Sequence, residues 1–227
     1  MLGMQGWWAG TWAVFEKELR LELRTRYALT MLLLFVLGAL MLVLFSTGNE
    51  TLNIRLQSAL LWVVVLFSAS IGLGRTFLAE EDQGTVLLLQ LNTRPSMVYA
   101  GKLLFNIVLM LVVTVLATLV LLFVLSTSVT FPGLLATALL LGAVGLAGAT
   151  TLLSALTARS NNSGAMLPVL LLPLVLPLLL SVSNATRMSF AGGFGWDAAS
   201  TDLATLVGFA GSVITASALL FDYVWMD

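Results

Sequence analysis

Three adjacent acidic residues, Glu80, Glu81 and Asp82, are the only run of three acids in the sequence. Adjacent carboxylates repel one another, and a loop exposed to water and salt relieves that repulsion. Insertion into a membrane does not explain them, because positively charged residues direct insertion. These three carboxylates could form ion pairs with basic residues of a partner protein.

The residues after the acidic run suggest a short helix. Gly84 permits a sharp turn, Thr85 can cap a helix, and Pro95 can begin another helix that leads into the next apolar segment. Between them lie more apolar side chains than a solvated loop carries, namely Val86, Leu88, Leu89 and Leu91. The pattern favours a coupling helix at a membrane surface. The alternative is a solvated acidic turn followed by a partly buried connector.

Catalytic chemistry has little support in the sequence. Cysteine and histidine are absent, which removes thiolates, imidazole ligands and the commonest general base. Gly101 and Lys102 have the order of a P-loop ending, but Ser96 occupies the first glycine position and Leu103 replaces the magnesium-binding hydroxyl residue. We therefore expect no catalytic site, no metal site and no cofactor bound by this chain. ATP, if it is used, must be hydrolysed by another chain.

Composition places the chain in a membrane. Of its 227 residues 59% are hydrophobic and only 9% are charged, far from the usage of soluble proteins. A membrane crossing needs about 20 apolar residues. We predict an all-α polytopic protein with one domain, 1–227, and a cytoplasmic segment at 76–102. The six predicted spans lie near 27–45, 58–75, 103–126, 133–157, 165–182 and 203–222.

Basic residues predict the orientation, since they remain on the cytoplasmic side. If the N-terminus is inside, that side holds eight basic residues and the other side holds Arg55 and Arg187. The eight are Lys17, Arg20, Arg24, Arg26, Arg75, Arg94, Lys102 and Arg159. Both termini and the acidic run are therefore predicted to be cytoplasmic. All ionisable residues lie in loops or near span ends, which disfavours an ion-coupled transporter.

Residues 1–26 predict an amphipathic helix in the membrane interface. An apolar stripe with helical spacing opposes a basic face. The stripe consists of Trp8, Trp12, Phe15, Leu19 and Leu23, and the basic face of Lys17, Arg20 and Arg24. Two interpretations stay open: a simple anchor in the headgroups, or an elbow helix that moves with a partner.

The fourth span contains the small-residue run GAVGLAGAT, with Gly142, Gly145, Gly148 and Ala149. Small residues allow transmembrane helices to approach closely. The run favours tight packing within one chain, and a dimer surface is the alternative.

The fifth span contains Pro168, Pro173 and Pro177. Each proline lacks a backbone donor and crowds the carbonyl four residues earlier, which predicts a kinked or broken helix. A passive bend and a functional hinge are both open.

Near the far side of the membrane, the stretch FAGGFGWD holds Phe190, Phe194 and Trp196. Aromatic residues commonly lie at the headgroup level. The alternative is a contact surface for a partner protein.

The run EEDQGTVLLLQLNTRPSMVYAGKLL resembles the cytoplasmic segment of ABC-2-type exporter permeases, with the pattern acidic-x-G-[ST]-x-x-x-L…P…K-[LV]. Two further stretches, FEKELRLELR and GAMLPVLLLPLVLPLLLSVSNAT, are similar to the entry helix and the proline-rich fifth span of the CcmB family. The resemblance runs through about four fifths of the chain.

The resemblance implies a membrane subunit of a cytochrome c maturation system that works with the ATPase CcmA, with CcmC and CcmD, and indirectly with the haem chaperone CcmE. Without His or Cys, the chain lacks the usual strong haem ligands, so a mechanical role fits better than tight haem binding. A generic ABC-2 exporter for lipid, glycan or drug and a structural membrane scaffold are the rival functions.

Overall fold

The computed structural model describes residues 4–47, 52–73, 77, 93–158, 163–192 and 195–226. Within these ranges the regular structure is entirely helical, as the sequence predicts. Seven helices follow one another: α1 (Met4–Thr25), α2 (Tyr27–Thr47), α3 (Ile54–Gly72), α4 (Pro95–Val124), α5 (Pro132–Thr157), α6 (Ser163–Phe190) and α7 (Trp196–Met226). The last six contain segments long and apolar enough to cross a membrane, which confirms the predicted number of spans.

The largest extensions beyond the predicted spans occur in three helices. The helix α4 begins at Pro95 rather than near residue 103, α6 ends at Phe190 rather than near 182, and α7 begins at Trp196 rather than near 203. Hydropathy marks only the part of a helix that suits lipid, whereas backbone hydrogen bonding continues into polar residues. The prediction that Pro95 begins a helix leading through Lys102 is confirmed, with proline in the first turn, where no donor is needed.

Helix α5 lies at the centre of the bundle and contacts α3, α4, α6 and α7. Its small residues make this possible: a Cβ atom on Gly142 would lie 2.2 Å from the Trp62 ring, and one on Gly145 would lie 2.2 Å from Leu178 Cδ1. Ala149 is fully buried. The small-residue run therefore serves packing within the chain, the first of the two interpretations.

Helix α2 lies at the periphery. Only 17% of its membrane-spanning window is buried, against 72% for α5. Large apolar side chains such as Leu34, Leu42 and Phe45 are exposed, as they are on helices that face lipid.

Helix α6 is continuous from Ser163 to Phe190 through all three prolines. The predicted break is therefore absent. Pro173 and Pro177 lie on the exposed side and Pro168 is half-buried, so the rings point away from the most crowded part of the bundle. Each proline removes one hydrogen bond, and the bonds on either side maintain the helix. The hinge function stays a prediction.

Candidate coupling site

The spans alternate in direction, so the first turns of α2, α4 and α6 lie at the same end as the last turns of α3, α5 and α7. We call this the α1 end, because α1 precedes α2 there, and the opposite one the far end. The described residues of the predicted 76–102 segment, Phe77 and 93–102, lie at the α1 end. The site is built where α1 meets the first turns of α4.

Close backbone approach joins α1 to α4. A Cβ atom on Gly101 would lie 2.6 Å from Val14 Cβ and 2.8 Å from the Thr11 carbonyl oxygen. Only glycine leaves room for α1 at this position. Trp7 Nε1 donates a hydrogen bond of 3.1 Å to Ser96 Oγ in the same contact.

A buried ion pair connects the same two helices. Lys102 Nζ lies 2.8 Å from Glu18 Oε1, and the Lys102 side chain is almost completely buried while that of Glu18 is 12% exposed. Burying a charge is costly unless an opposite charge accompanies it. The pair therefore fixes the position of α1 relative to α4, rather than contributing a non-specific attraction between the two helices.

Phe77, near the start of the 76–102 segment, joins this pair. Lys102 Nζ lies 5.1 Å from the centre of the Phe77 ring, within range of a cation–π interaction. The Phe77 ring also lies 5.5 Å from the Phe221 ring in α7, and its backbone N–H donates to Ser154 Oγ in α5 at 3.4 Å. One residue of the segment is thus held by α4, α5 and α7 together.

A neutral polar contact lies one turn further along α4. Asn106 Nδ2 donates a hydrogen bond of 2.8 Å to Thr151 Oγ1 in α5, and both residues are fully buried. No group of three or more acidic residues suited to a metal ion occurs among the described residues. These contacts join α4 to α1 and to α5.

A sharp elbow fixes the direction in which α1 enters the bundle. Arg26 adopts a left-handed backbone conformation with a φ of 53°, and Glu22 accepts a hydrogen bond of 2.8 Å from the Leu29 backbone N–H. The carboxylate thereby satisfies a donor in the first turn of α2 and lies where the helix dipole favours negative charge. The Glu22 side chain thus connects α1 to the first turn of α2 across the elbow.

Most residues of the predicted coupling element lie outside the described residues: Glu80, Glu81, Asp82, Gly84, Thr85, Leu88, Leu89 and Leu91. The described residue of that prediction, Pro95, begins α4. Their coupling role stays a prediction.

The apolar stripe predicted on α1 is divided between two environments. Trp8, Trp12 and Leu23 are exposed, as an interfacial helix requires, but Phe15 is buried and Leu19 is half-buried against the bundle. Phe15 therefore packs against protein rather than lipid. It lies at the edge of the stripe nearest α4, so the neighbouring helix covers it.

The predicted far-end contact surface needs a similar correction. Phe190 is only 2% exposed and belongs to the core, so its side chain is unavailable to a partner in this conformation. Phe194 lies outside the described residues. Trp196 is 49% exposed and packs beside Gly133, where a Cβ atom would lie 3.3 Å from the indole. The partner-contact prediction rests on Trp196 among the described residues.

Sequence reasoning missed the importance of Glu18, Lys102, Phe77 and Phe221. The sequence patterns give Lys102 significance only as part of a failed P-loop match and as one of the eight basic residues, and they give Glu18 none. The available signal was weak: Glu18 lies away from the basic face of α1, on the side where Thr11 and Val14 also fall at helical spacing.

Six helices long and apolar enough to cross a membrane, with α1 joined to them through Glu18 and Lys102, define a multi-pass membrane protein. The chain belongs to the CcmB family: the family model described as CcmB protein matches residues 9–222. It is similar to Heme exporter protein B of Bradyrhizobium diazoefficiens, with 27% identity over 188 residues that cover 82% of this chain and 85% of that relative.

Proposed function

We propose that this chain is the membrane subunit of an ABC system for haem delivery, in which a separate ATPase of the CcmA type drives release of a haem-loaded chaperone during cytochrome c maturation. The observation that carries the proposal is the family match over residues 9–222. The name of the bacterial relative, Heme exporter protein B, supports haem as the cargo. CcmC and CcmD are the proposed membrane partners, and CcmE is the proposed chaperone.

The proposed location is the bacterial inner membrane, with both termini in the cytoplasm. The bias of eight basic residues to two supports this orientation. It places the α1 end at the cytoplasmic face, where an ATPase can reach it. Trp196 then faces the side on which the haem chaperone works.

Energy from the ATPase is proposed to enter through residues 76–102. The acidic run follows Phe77, which is held by Lys102, Ser154 and Phe221, and the segment ends where Pro95 begins α4. A displacement of this segment by a partner would act directly on α4, and on α1 through Glu18 and Lys102. The acidic side chains are proposed to meet basic residues of the ATPase.

Replacing Glu80, Glu81 and Asp82 together with Ser tests this role. We expect normal membrane levels but weaker co-purification of the ATPase subunit at low salt and reduced cytochrome c maturation. Because exposed ionic contacts are screened by salt, wild-type association should fall with ionic strength, while the variant should show a flatter dependence. Asp197→Ser, which removes an exposed carboxylate at the far end, is the control. Unchanged association and maturation in the triple variant would remove these residues from the mechanism.

Haem is proposed to be handled by the complex rather than held tightly by this chain. The chain has no His or Cys, and the remaining candidate ligands are methionine thioethers and tyrosine phenols. Titration of the detergent-purified chain with haemin, followed at the Soret band, should show no stoichiometric low-spin complex. A dissociation constant below about 1 μM, some −8 kcal/mol, would contradict the mechanical role.

Two further experiments distinguish the proposed function from the two rival functions. A generic exporter should stimulate its ATPase with a lipid, glycan or drug in the absence of CcmC. A structural scaffold should keep full maturation when residues 78–92 are replaced by a neutral linker. The proposed function requires neither stimulation without CcmC nor tolerance of the linker.

A further inference from the structure

Helix α1 has three distinct faces. The first packs against the bundle through Thr11, Val14, Phe15, Glu18 and Glu22, all buried or nearly so. The second is apolar and exposed, with Trp8 at 61%, Trp12 at 60% and Leu23 at 59%. The third carries Lys17, Arg20 and Arg24, which are also exposed.

The order of these faces around the helix follows from the rotation of about 100° per residue. The exposed apolar face lies between the packed face and the basic face. The packed face is fixed by the Glu18–Lys102 pair and by the close contact of Val14 with Gly101. These contacts fix the rotation of α1 about its own axis. The basic face therefore lies directly beside the exposed apolar face, whose side chains enter the membrane interface.

The basic face contains a shallow groove. The groove is open to the surroundings, has a volume of about 480 Å³ and is lined by Ala13, Glu16, Lys17, Arg20, Leu21 and Arg24. This volume lies within the range of small-molecule sites. Glu16 contacts Arg20 and Lys17 Nζ lies 3.9 Å from Glu18 Oε1, so the groove itself carries three cations and one carboxylate.

We infer that this groove binds the headgroup of an anionic phospholipid. Trp8 and Trp12 place the adjacent surface at the headgroup level of the bilayer. The long side chains of Arg20 and Arg24 can extend along the helix and present their guanidinium groups to a phosphate in that plane. The acyl chains of the same lipid would pack against the exposed indoles, which a soluble phosphate or an acidic protein segment would leave uncovered.

The bound lipid would hold α1 in the membrane surface from its outer side, as the ion pair holds it from the inner side. Each basic residue beside an anionic membrane strengthens binding roughly fivefold. We therefore expect removal of both arginine charges to reduce the preference for anionic lipid by roughly twenty-five-fold.

Native mass spectrometry of the full-length purified chain provides the test, with phosphatidylglycerol and phosphatidylcholine of identical acyl chains as probes. Wild type should retain phosphatidylglycerol preferentially. The double variant Arg20→Gln/Arg24→Gln should lose the preference, while the charge-preserving Arg20→Lys/Arg24→Lys should keep most of it. If the double Gln variant does not fold, Arg24→Gln alone should lower the preference roughly fivefold.

Two results would overturn the inference. One is an equal preference for phosphatidylglycerol in wild type and in the folded Gln variants. The other is displacement of the lipid by millimolar inorganic phosphate or by a polyglutamate peptide, which would show a site for soluble anions or for an acidic protein.

Discussion

The two ends of the helical bundle are joined by different chemistry. At the α1 end, Lys102 connects Glu18 of α1 to Phe77 through a buried charge. At the far end the contacts are hydrogen bonds with at least one neutral partner. Trp62 Nε1 donates to Thr186 Oγ1 at 2.9 Å, and Thr127 Oγ1 donates to Gln57 Oε1 at 2.7 Å. Asn184 Nδ2 of α6 donates to the Asp202 carboxylate of α7. A buried Lys–Glu ion pair thus joins two helices at the α1 end, whereas these far-end contacts each have a neutral partner.

We expect this difference to make the α1 end more sensitive than the far end to binding of a charged partner. A buried ion pair depends on both partners being present in one geometry, and losing one costs far more than losing a neutral hydrogen bond. The α1 end is therefore sensitive to other charges brought near it, including those of a protein partner. The far end should affect stability more than coupling.

Lys102→Met should have the largest effect, because it removes both the Glu18 ion pair and the contact with Phe77. Breaking a buried pair costs about 3–5 kcal/mol. We expect a clear fall in the unfolding temperature in detergent and faster tryptic cleavage in α1. Arg94→Met, an exposed position at the same end, is the control. Similar unfolding temperatures for the two variants would show that the pair does not hold α1.

Gly142→Ala should have the next largest effect. Its Cβ atom would meet the Trp62 ring at 2.2 Å and Val182 at 2.8 Å, and overpacking costs about 1–3 kcal/mol. Gly145→Ala should destabilise the protein less. Its Cβ atom would lie 2.2 Å from Leu178 Cδ1, the end of a flexible side chain that can move aside. Gly208→Ala, with nothing within 4 Å, is the neutral reference. Thermal unfolding in detergent checks the order, and a reversal of Gly142 and Gly145 would contradict it.

Trp62→Phe should have a smaller effect on stability. It removes the donor to Thr186 and some ring volume, a loss of about 1–2 kcal/mol. Association with the ATPase should be unchanged, because the contact lies away from the α1 end. Reduced ATPase association at an unchanged level of folded protein would show that the far end also takes part in coupling.

Replacing Pro173 and Pro177 together with Ala should have the smallest effect on stability and should leave the membrane level unchanged. Both side chains are exposed and the helix already runs through them. If they form a hinge, cytochrome c maturation should fall, because restored backbone donors stiffen α6. Normal maturation in the double variant would leave only the passive bend.

The sequence predicted features that depend on local composition. Six apolar segments indicate six spans, and proline at position 95 indicates a helix start. It failed where a distant neighbour decides the environment. Phe15 and Phe190 were assigned to exposed surfaces, but adjacent helices cover them. The partner of Lys102 lies 84 residues away in the sequence, a distance at which helical spacing carries no information.

The proposed coupling requires that α1 and α4 move together as one unit when the ATPase acts on the bundle. The chain has no cysteine, so a disulfide can be introduced without background. A Cβ atom on Gly10 would lie 2.6 Å from Met97 Sδ, which makes Gly10→Cys/Met97→Cys the direct choice. The cross-link should form in the assembled complex and leave cytochrome c maturation equal to that of the reduced protein. Loss of maturation on oxidation, restored by reduction, would show that α1 must separate from α4.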